Sequence, residues 1–312
     1  MAPRQIIIDT DPGHDDAFAI LAAIASDDLE VLGITTVAGN VPLDKTTFNA
    51  LRLRDLAGAS HLPVYRGCSG PMVNELVTAE YVHGETGLDG PHLPEPIRGV
   101  EPKHAVDYLV DTLLDAKDRS ITVCLLGPMT NMGMALVKEP AIADKVAEFV
   151  IMGGSFHAGG NITSTAEFNV FVDPHAMHRV LTSGVPLTIM PLDVTHQAQA
   201  TPPRVAAFRA LQTPVGEAVV AMLDFAERFD VTQYGFEGYP LHDPTVIAYL
   251  IDADIFESRE GHVSVVLEPG EAHGMTVADW WLTSAAEPNA TVMVGLDADR
   301  YFGLLIELLS VL

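Results

Sequence analysis

The sequence predicts an α/β protein with an open, mainly parallel, Rossmann-like sheet, helices on both faces and a small C-terminal antiparallel addition. Three observations predict this. Apolar, β-branched runs recur without polar alternation, as in strands buried on both faces. Helical patterns separate them. Polar clusters collect where the runs end, and parallel sheets gather their ligand sites at the carboxyl ends of strands.

The expected strands are QIIID (5–9), VLGITTV (31–37), ITVCLLG (121–127), FVIMGG (149–154) and PLTIMP (186–191). Between them, DDAFAILAAIAS (15–26) is apolar nearly all round and reads as a buried helix. TTFNALRLRDLAG (46–58) ends in the glycine expected at a helix stop, and HAVDYLVDTLLDAK (104–117) is amphipathic. DPHAMHRVLTSG (173–184) opens with an Asp cap and a Pro at the first helical position. Beyond residue 195, VGEAVVAMLDFAERF (215–229) and DPTVIAYLI (243–251) read as helices, and HVSVVLE (262–268) and ATVMVGL (291–297) as antiparallel strands. Gly- and Pro-rich loops are expected at 81–102 and 231–242, where they could close over a ligand. No repeat or linker interrupts the chain, so residues 1–312 are expected to form one domain.

The net charge of −25 argues against nucleic acid or membrane as partner, because such a surface repels phosphate. Two cysteines, Cys68 and Cys124, make no disulfide framework. The first apolar run is too short for a signal peptide and AFAILAAIA too short to span a bilayer, so a soluble cytoplasmic protein is expected.

The stretch IIIDTDPGHDDA (6–17) poses the chemical question: Asp9, Asp11, Asp15 and Asp16 follow directly on a buried strand. Helix capping can explain one or two of them. Four together would share protons or hold a cation, and a cation turns mutual repulsion into attraction. The chain has no C-x-x-C, H-E-x-x-H or His pair at zinc spacing. Oxygen ligands from distant segments suit calcium (Ca²⁺) better than magnesium.

Further polar clusters fall at the same sheet edge: AGN (38–40), GPMTN (127–131), GGSFHAGGN (153–161), AEFN (166–169) and HDP (242–244). These segments contain no Lys or Arg, so the ligand is expected to be uncharged. Acids and amides (Asp15, Asn40, Asn161, Glu167, Asn169) suit the hydroxyls of a sugar. GNVPLDKT (39–46) is one residue from a P-loop, but Asp44 stands in place of the second glycine and would face phosphate. IIIDTD also looks like the start of an aspartyl-phosphate phosphatase with Asp9 as nucleophile, although the following PGHDD does not fit.

Taken in order, DTDPGHDDA, HGETGLDG (83–90), GPMTN, MGGSFHAGGN, AEFNVFVDPHA (166–176) and HDP resemble the calcium-dependent nucleoside hydrolases of the inosine–uridine family. The resemblance runs from about residue 5 to 280. It implies hydrolysis of the N-glycosidic bond of a ribonucleoside, releasing base and ribose. It also implies that Asp11, Asp16, Asp243 and the main-chain carbonyl of Thr130 hold calcium, with Asp11 as general base. Asp15, Asn40, Asn161, Glu167 and Asn169 would bind the ribose, Met152 would line its pocket, and Asp9 would orient Asp11 from behind.

General chemistry agrees. An electron-rich pocket stabilises an oxocarbenium-like transition state, and calcium acidifies water only modestly, so a carboxylate base is needed. His242, beside Asp243, is the candidate acid for the leaving base, with His83 near it; Phe168 and Tyr234 would stack on the base. A His at the HDP block goes with the inosine–uridine type of the family, and Trp280 and Trp281 lie in no segment expected over the base. A broad or pyrimidine-leaning hydrolase is therefore expected. His273 stands where the family often has Arg. The family also implies a homodimer or homotetramer. The competing readings are the phosphatase and a silent nucleoside- or ribose-binding protein.

Overall fold

The computed structural model describes residues 2–312, the side chains of 227–232 and 234 excepted. Its strands are β1 (Arg4–Thr10), β2 (Leu29–Thr36), β3 (Val64–Arg66), β4 (Ile121–Leu125), β5 (Val146–Met152), β6 (Leu187–Met190), β7 (Gln199–Ala200), β8 (Tyr239–Pro240), β9 (Phe256–Val265), β10 (Thr276–Asp279) and β11 (Ala290–Leu296). Nine of them form one sheet in the order β10-β9-β11-β6-β5-β4-β1-β2-β3, and β7 pairs with β8. Strands β1 to β6 are mutually parallel neighbours, as their apolar runs predict.

The antiparallel addition continues this sheet rather than standing apart from it. Strand β11 pairs parallel with β6, and β9 then turns the direction. Alternate residues of β1 feed opposite cores: Ile6 and Ile8 pack on one face, Ile7 on the other. The buried helix is real, since every residue from His14 to Ala23 is buried. The sequence reading missed the short β3, the edge strand β10 and the final helix Ala298–Leu309.

The chain leaves β1 towards β2 on one side and β4 on the other, so the crossover direction reverses there. That switch point opens a crevice at the carboxyl ends of the strands, the usual ligand position in such sheets.

The expected loop at 231–242 begins as helix, because Pro214–Tyr234 runs on through its first residues. The other, 81–102, is fastened to the helix Leu43–Leu56. Arg52 donates to Leu93 O (2.9 Å) and Arg54 to Arg98 O (2.8 Å), while Asn49 donates to Thr86 O (2.9 Å). Closure of this segment over a ligand would have to break these bonds. Among the described residues, no helix is long and apolar enough to cross a membrane.

Candidate active site

An open-mouthed cavity lies at the switch point, where such sheets usually bind small molecules. Its wall brings together ten of the residues singled out from sequence: Asp15, Asn40, His83, Met152, Asn161, Glu167, Phe168, Asn169, His242 and Asp243. Among the described residues, no Lys or Arg lines it. The side chain of Tyr234 lies outside the described residues.

The carboxylates gather at the floor. Oxygen atoms of Asp15, Asp16 and Asp243 lie within 4.8 Å of one another, and all three residues are buried. Asp15 thus belongs to the acid trio by position, although its expected place was beside the ribose. Asp11 lies just outside the trio but feels its field. Burial first, then the charges of Asp16 and Asp15, push its carboxyl well above the usual range. Asp243 is pushed well above it too, by burial and then by Asp15, Asp16 and Asp11. Asp16 is raised chiefly by burial, against bonds from Thr10 Oγ1 and the Gly13 amide. Such a group of buried oxygens, with no cation beside it among the described residues that line the cavity, fits a hard divalent ion.

Local structure explains how the acids reach one place. Asp16 Oδ2 accepts from Gly13 N (2.9 Å), completing the start of the helix His14–Ala25. Asp11 is oriented by Asn40, whose main-chain N donates to Oδ2 at 2.6 Å and whose side chain donates to Asp11 O at 3.1 Å. Gly39 and Gly127 flank the same carboxylate. A Cβ on either would come within 2.0 or 2.3 Å of an Asp11 oxygen, so both clusters AGN and GPMTN need their glycine. Thr130 starts the helix Thr130–Lys138, and its hydroxyl donates to Asp173 Oδ2 (2.7 Å).

Asp9 does not play the expected part. Its Oδ1 accepts from Thr35 Oγ1 (2.5 Å) and Asn131 Nδ2 (2.7 Å), its Oδ2 is buried without a partner, and burial pushes it up to about 6. Asp9 does not line the cavity, and neither do Asp11, Asp16 and Thr130. Unlike Asp11 and Asp16, Asp9 also lies outside the acid group and is tied to Thr35 and Asn131, which does not suit the nucleophile of the phosphatase reading. The residue that orients Asp11 is Asn40, not Asp9.

The residues expected beside a ribose are held by backbone. Glu167 caps the helix Phe168–Val172 through Asn169 N (2.9 Å) and Val170 N (3.3 Å), and also accepts from Gly154 N (2.9 Å). Burial still raises its carboxyl to about 7. Asn169 Nδ2 donates to Leu126 O (2.7 Å) and Met152 O (3.2 Å), while Asn161 Oδ1 accepts from Phe168 N (2.9 Å).

Three residues escaped the sequence reading. Tyr239 lines the cavity and donates to Asp15 Oδ1 (3.4 Å). His196 lines it beside His242, with ring centroids 5.8 Å apart. It follows the carboxyl end of β6, so the strand-end rule could have found it. His14 contacts His83, 3.3 Å between Nδ1 atoms. Burial, with His196 beside it, pushes His242 down to about 3, which favours an uncharged ring at neutral pH. The bond from His242 Nδ1 to Thr195 Oγ1 is 2.7 Å.

Trp280 and Trp281 are not in the cavity wall; they enclose Arg259, whose guanidinium lies 4.9 and 4.8 Å from the two rings. His273 is also remote from it, bonded to Asn74 Nδ2 (3.0 Å) and Leu267 O (3.2 Å).

The whole chain, and not only this site, is similar to known proteins. The sequence model of a family described as inosine-uridine preferring nucleoside hydrolase matches residues 6–303. The chain belongs to this nucleoside hydrolase family. A pyrimidine-specific ribonucleoside hydrolase, RihA of Salmonella arizonae, is 43% identical over 98% of this chain and 98% of its own. A plant nucleoside hydrolase structure superposes with a TM-score of 0.91 at 32% identity, covering 99% of each chain. A purine-preferring ribonucleoside hydrolase from Gardnerella vaginalis gives 0.91 at 31% identity over 98% of each chain. Nucleoside hydrolases cleave the N-glycosidic bond, and this chain is such a hydrolase by its family.

Proposed function

We propose that the chain is a calcium-dependent ribonucleoside hydrolase, pyrimidine-leaning or of broad inosine–uridine type. The buried acid cluster at the cavity floor is the observation that carries the metal part of this reading. Asp11, Asp16, Asp243 and the carbonyl of Thr130 would hold the ion, and the position of Asp15 adds a further oxygen to the same group. When bound, calcium would neutralise these acids, polarise a water and anchor ribose hydroxyls.

The chain's own residues do the rest. Asp11, kept in place by Asn40, takes the proton of the attacking water at its carboxylate. Asn161, Glu167 and Asn169 orient the ribose, and Met152 packs beneath it. Charge developing on the ribose is stabilised by the surrounding acids and amide oxygens. Phe168 packs against the base. His242, uncharged at rest, delivers a proton to the leaving base once it has acquired one, and His83 stands on the same wall.

The pyrimidine leaning is supported by the 43% identical pyrimidine-specific relative and by the position of both tryptophans outside the cavity. The proposed assembly is a homodimer or homotetramer, a family property that light scattering reads directly.

The test is ribose release from uridine, cytidine, inosine and adenosine, repeated after calcium chelation and with Asp11→Asn. Release that needs both the metal and Asp11, and that is fastest with a pyrimidine or inosine, is expected. Calcium-loaded protein that releases ribose from none of the four would sink the proposal and leave the binding-protein reading.

A further inference from the structure

The cavity wall carries two chemistries. Acids and amides, among them Asp15, Glu167 and Asn169, supply hydrogen-bonding groups, whereas Ala79, Tyr81, Val82 and Phe168 supply apolar surface. A ribonucleoside has the same two halves, a sugar covered in hydroxyls and a flat base with apolar faces. The hydroxyls need the acids and amides, so the base is left with the apolar surface.

One turn of chain supplies much of that surface. The short helix Glu80–His83 and the residue before it place Ala79, Tyr81, Val82 and His83 in the wall. The turn is tied down at its start. Ala79 N donates to Asn40 O (2.9 Å), and Val82 N and His83 N both donate to Ala79 O (2.9 and 3.0 Å). Ala79 also shares one apolar cluster with Phe168 and Val172, against which Leu76 and Ile162 pack. Phe168, the residue proposed to pack against the base, is therefore a neighbour of the turn that carries Tyr81.

Depth then orders the wall. Asp15, Asp16 and Asp243 are buried at the floor, and a ribose held there leaves its base pointing outwards. Along the turn, His83 is buried, Val82 is half-buried and Tyr81 is 55% exposed, so Tyr81 stands at the mouth. A large ring with more than half its surface in water has a face to give to a ligand. Tyrosine suits such a wet edge, with a ring for stacking and a hydroxyl for water.

We propose that Tyr81 is a specificity-determining residue of the nucleoside site: its ring forms the outer wall of the base position and packs on the base while the ribose lies at the buried acids. A two-ring purine offers more face, and reaches further towards the mouth, than a one-ring pyrimidine. Tyr81 is thus the group that lets this site accept purine as well as pyrimidine nucleosides. The proposal rests on the hydrolase reading above.

The test measures KM and kcat for uridine and inosine, with free ribose as a competitive inhibitor, in wild type, Tyr81→Ala and Tyr81→Phe. Stacking on the base is already present in the bound substrate, so its loss falls on KM. Tyr81→Ala is expected to raise KM about 10-fold for uridine and about 30-fold for inosine, the worth of stacking one base on one ring. Its kcat is expected to change less than about 2-fold. Ribose has no base, and its inhibition constant is expected to stay within about 2-fold of wild type. Tyr81→Phe keeps the ring and is expected to match wild type within about 2-fold in every constant. An unchanged KM in Tyr81→Ala, an equal loss for uridine and inosine, or a loss in Tyr81→Phe equal to that in Tyr81→Ala overturns the proposal. So does ribose weakened in step with the nucleosides, which would mean that the substitution disturbs the turn and Asn40 with it. Wild type that releases no ribose would sink the hydrolase reading alone; dissociation constants for uridine and inosine from equilibrium dialysis then decide the role of Tyr81 by the same criteria.

Discussion

Two helices of this protein open on the same dipeptide, Asp173-Pro174 and Asp243-Pro244, and the two carboxylates do different things. Asp173 has φ −139° and ψ 75°, outside the helical region, and its Oδ1 accepts from Ala176 N at 3.0 Å. Its Oδ2 accepts from Thr130 Oγ1 (2.7 Å) and Met72 N (2.8 Å). Asp243 is already helical, at φ −64° and ψ −36°, and makes no cap bond. Capping needs an extended residue, so the helical backbone turns the Asp243 side chain away from its own helix. It joins Asp15 and Asp16 instead. One carboxylate is bonded by amide and hydroxyl donors of the protein; the other shares a hydrogen bond with a second acid, Asp16, and sits among like charges. A buried acid whose neighbours are other acids is a better pointer to function than a sequence match to a cap.

The largest expected effect of breaking this contrast is on activity. Asp243→Asn should lower ribose release about 1,000-fold, because several kcal/mol of charge stabilisation depend on the ion. The same variant should melt higher than wild type when both are metal-free, since one of the mutually repelling carboxylates is gone. A metal-free variant that melts lower would mean Asp243 is structural, like Asp173.

Asp173→Ala is the converse. It removes a cap and leaves the Thr130 hydroxyl and Met72 amide without their acceptor. A loss of about 2–4 kcal/mol in denaturant unfolding is expected, with or without calcium. A loss below about 1 kcal/mol would show that water replaces the carboxylate.

Calcium itself should sharpen the comparison. Saturation at about 100 times the dissociation constant should stabilise wild type by about 2.7 kcal/mol, and chelation should remove this. Calorimetric unfolding of Asp243→Asn should show almost none of that gain, whereas Asp173→Asn should retain most of it. Equal gains in both variants would place the ion elsewhere.

The subtlest effect concerns Glu167, whose carboxyl moves from 4.5 up to about 7 through burial. The folded state favours the protonated form, so this contribution is fully present below pH 4.5 and is lost as pH rises to about 7. Glu167→Gln holds no charge at any pH. In metal-free protein, the stability of wild type relative to Glu167→Gln should therefore fall by up to about 3 kcal/mol between pH 4.5 and 7. A difference independent of pH would show that folding does not raise the Glu167 carboxyl.

Much of this was legible in the chain. The runs at 5–9, 31–37, 121–127, 149–154 and 186–191 all became strands, because burial on both faces demands continuous apolar sequence. Five of the six family blocks, all but GPMTN, contribute residues to the cavity wall, because ligand groups in a parallel sheet cluster at strand ends. The short β3 and edge strand β10 escaped, having too few residues to show a period.

What the sequence by itself determined was therefore the set of elements, the edge at which chemistry collects and the family. The tertiary structure alone decided which carboxylates meet, that Asp243 is no cap, that Asp9 faces away from the cavity, and that His14 meets a histidine 69 residues distant. The physical reason is range. Periodicity and capping signals act over a few residues and leave their mark in the local sequence. The approach of side chains from separate loops is set by how the whole sheet and its helices pack, and no short stretch records it.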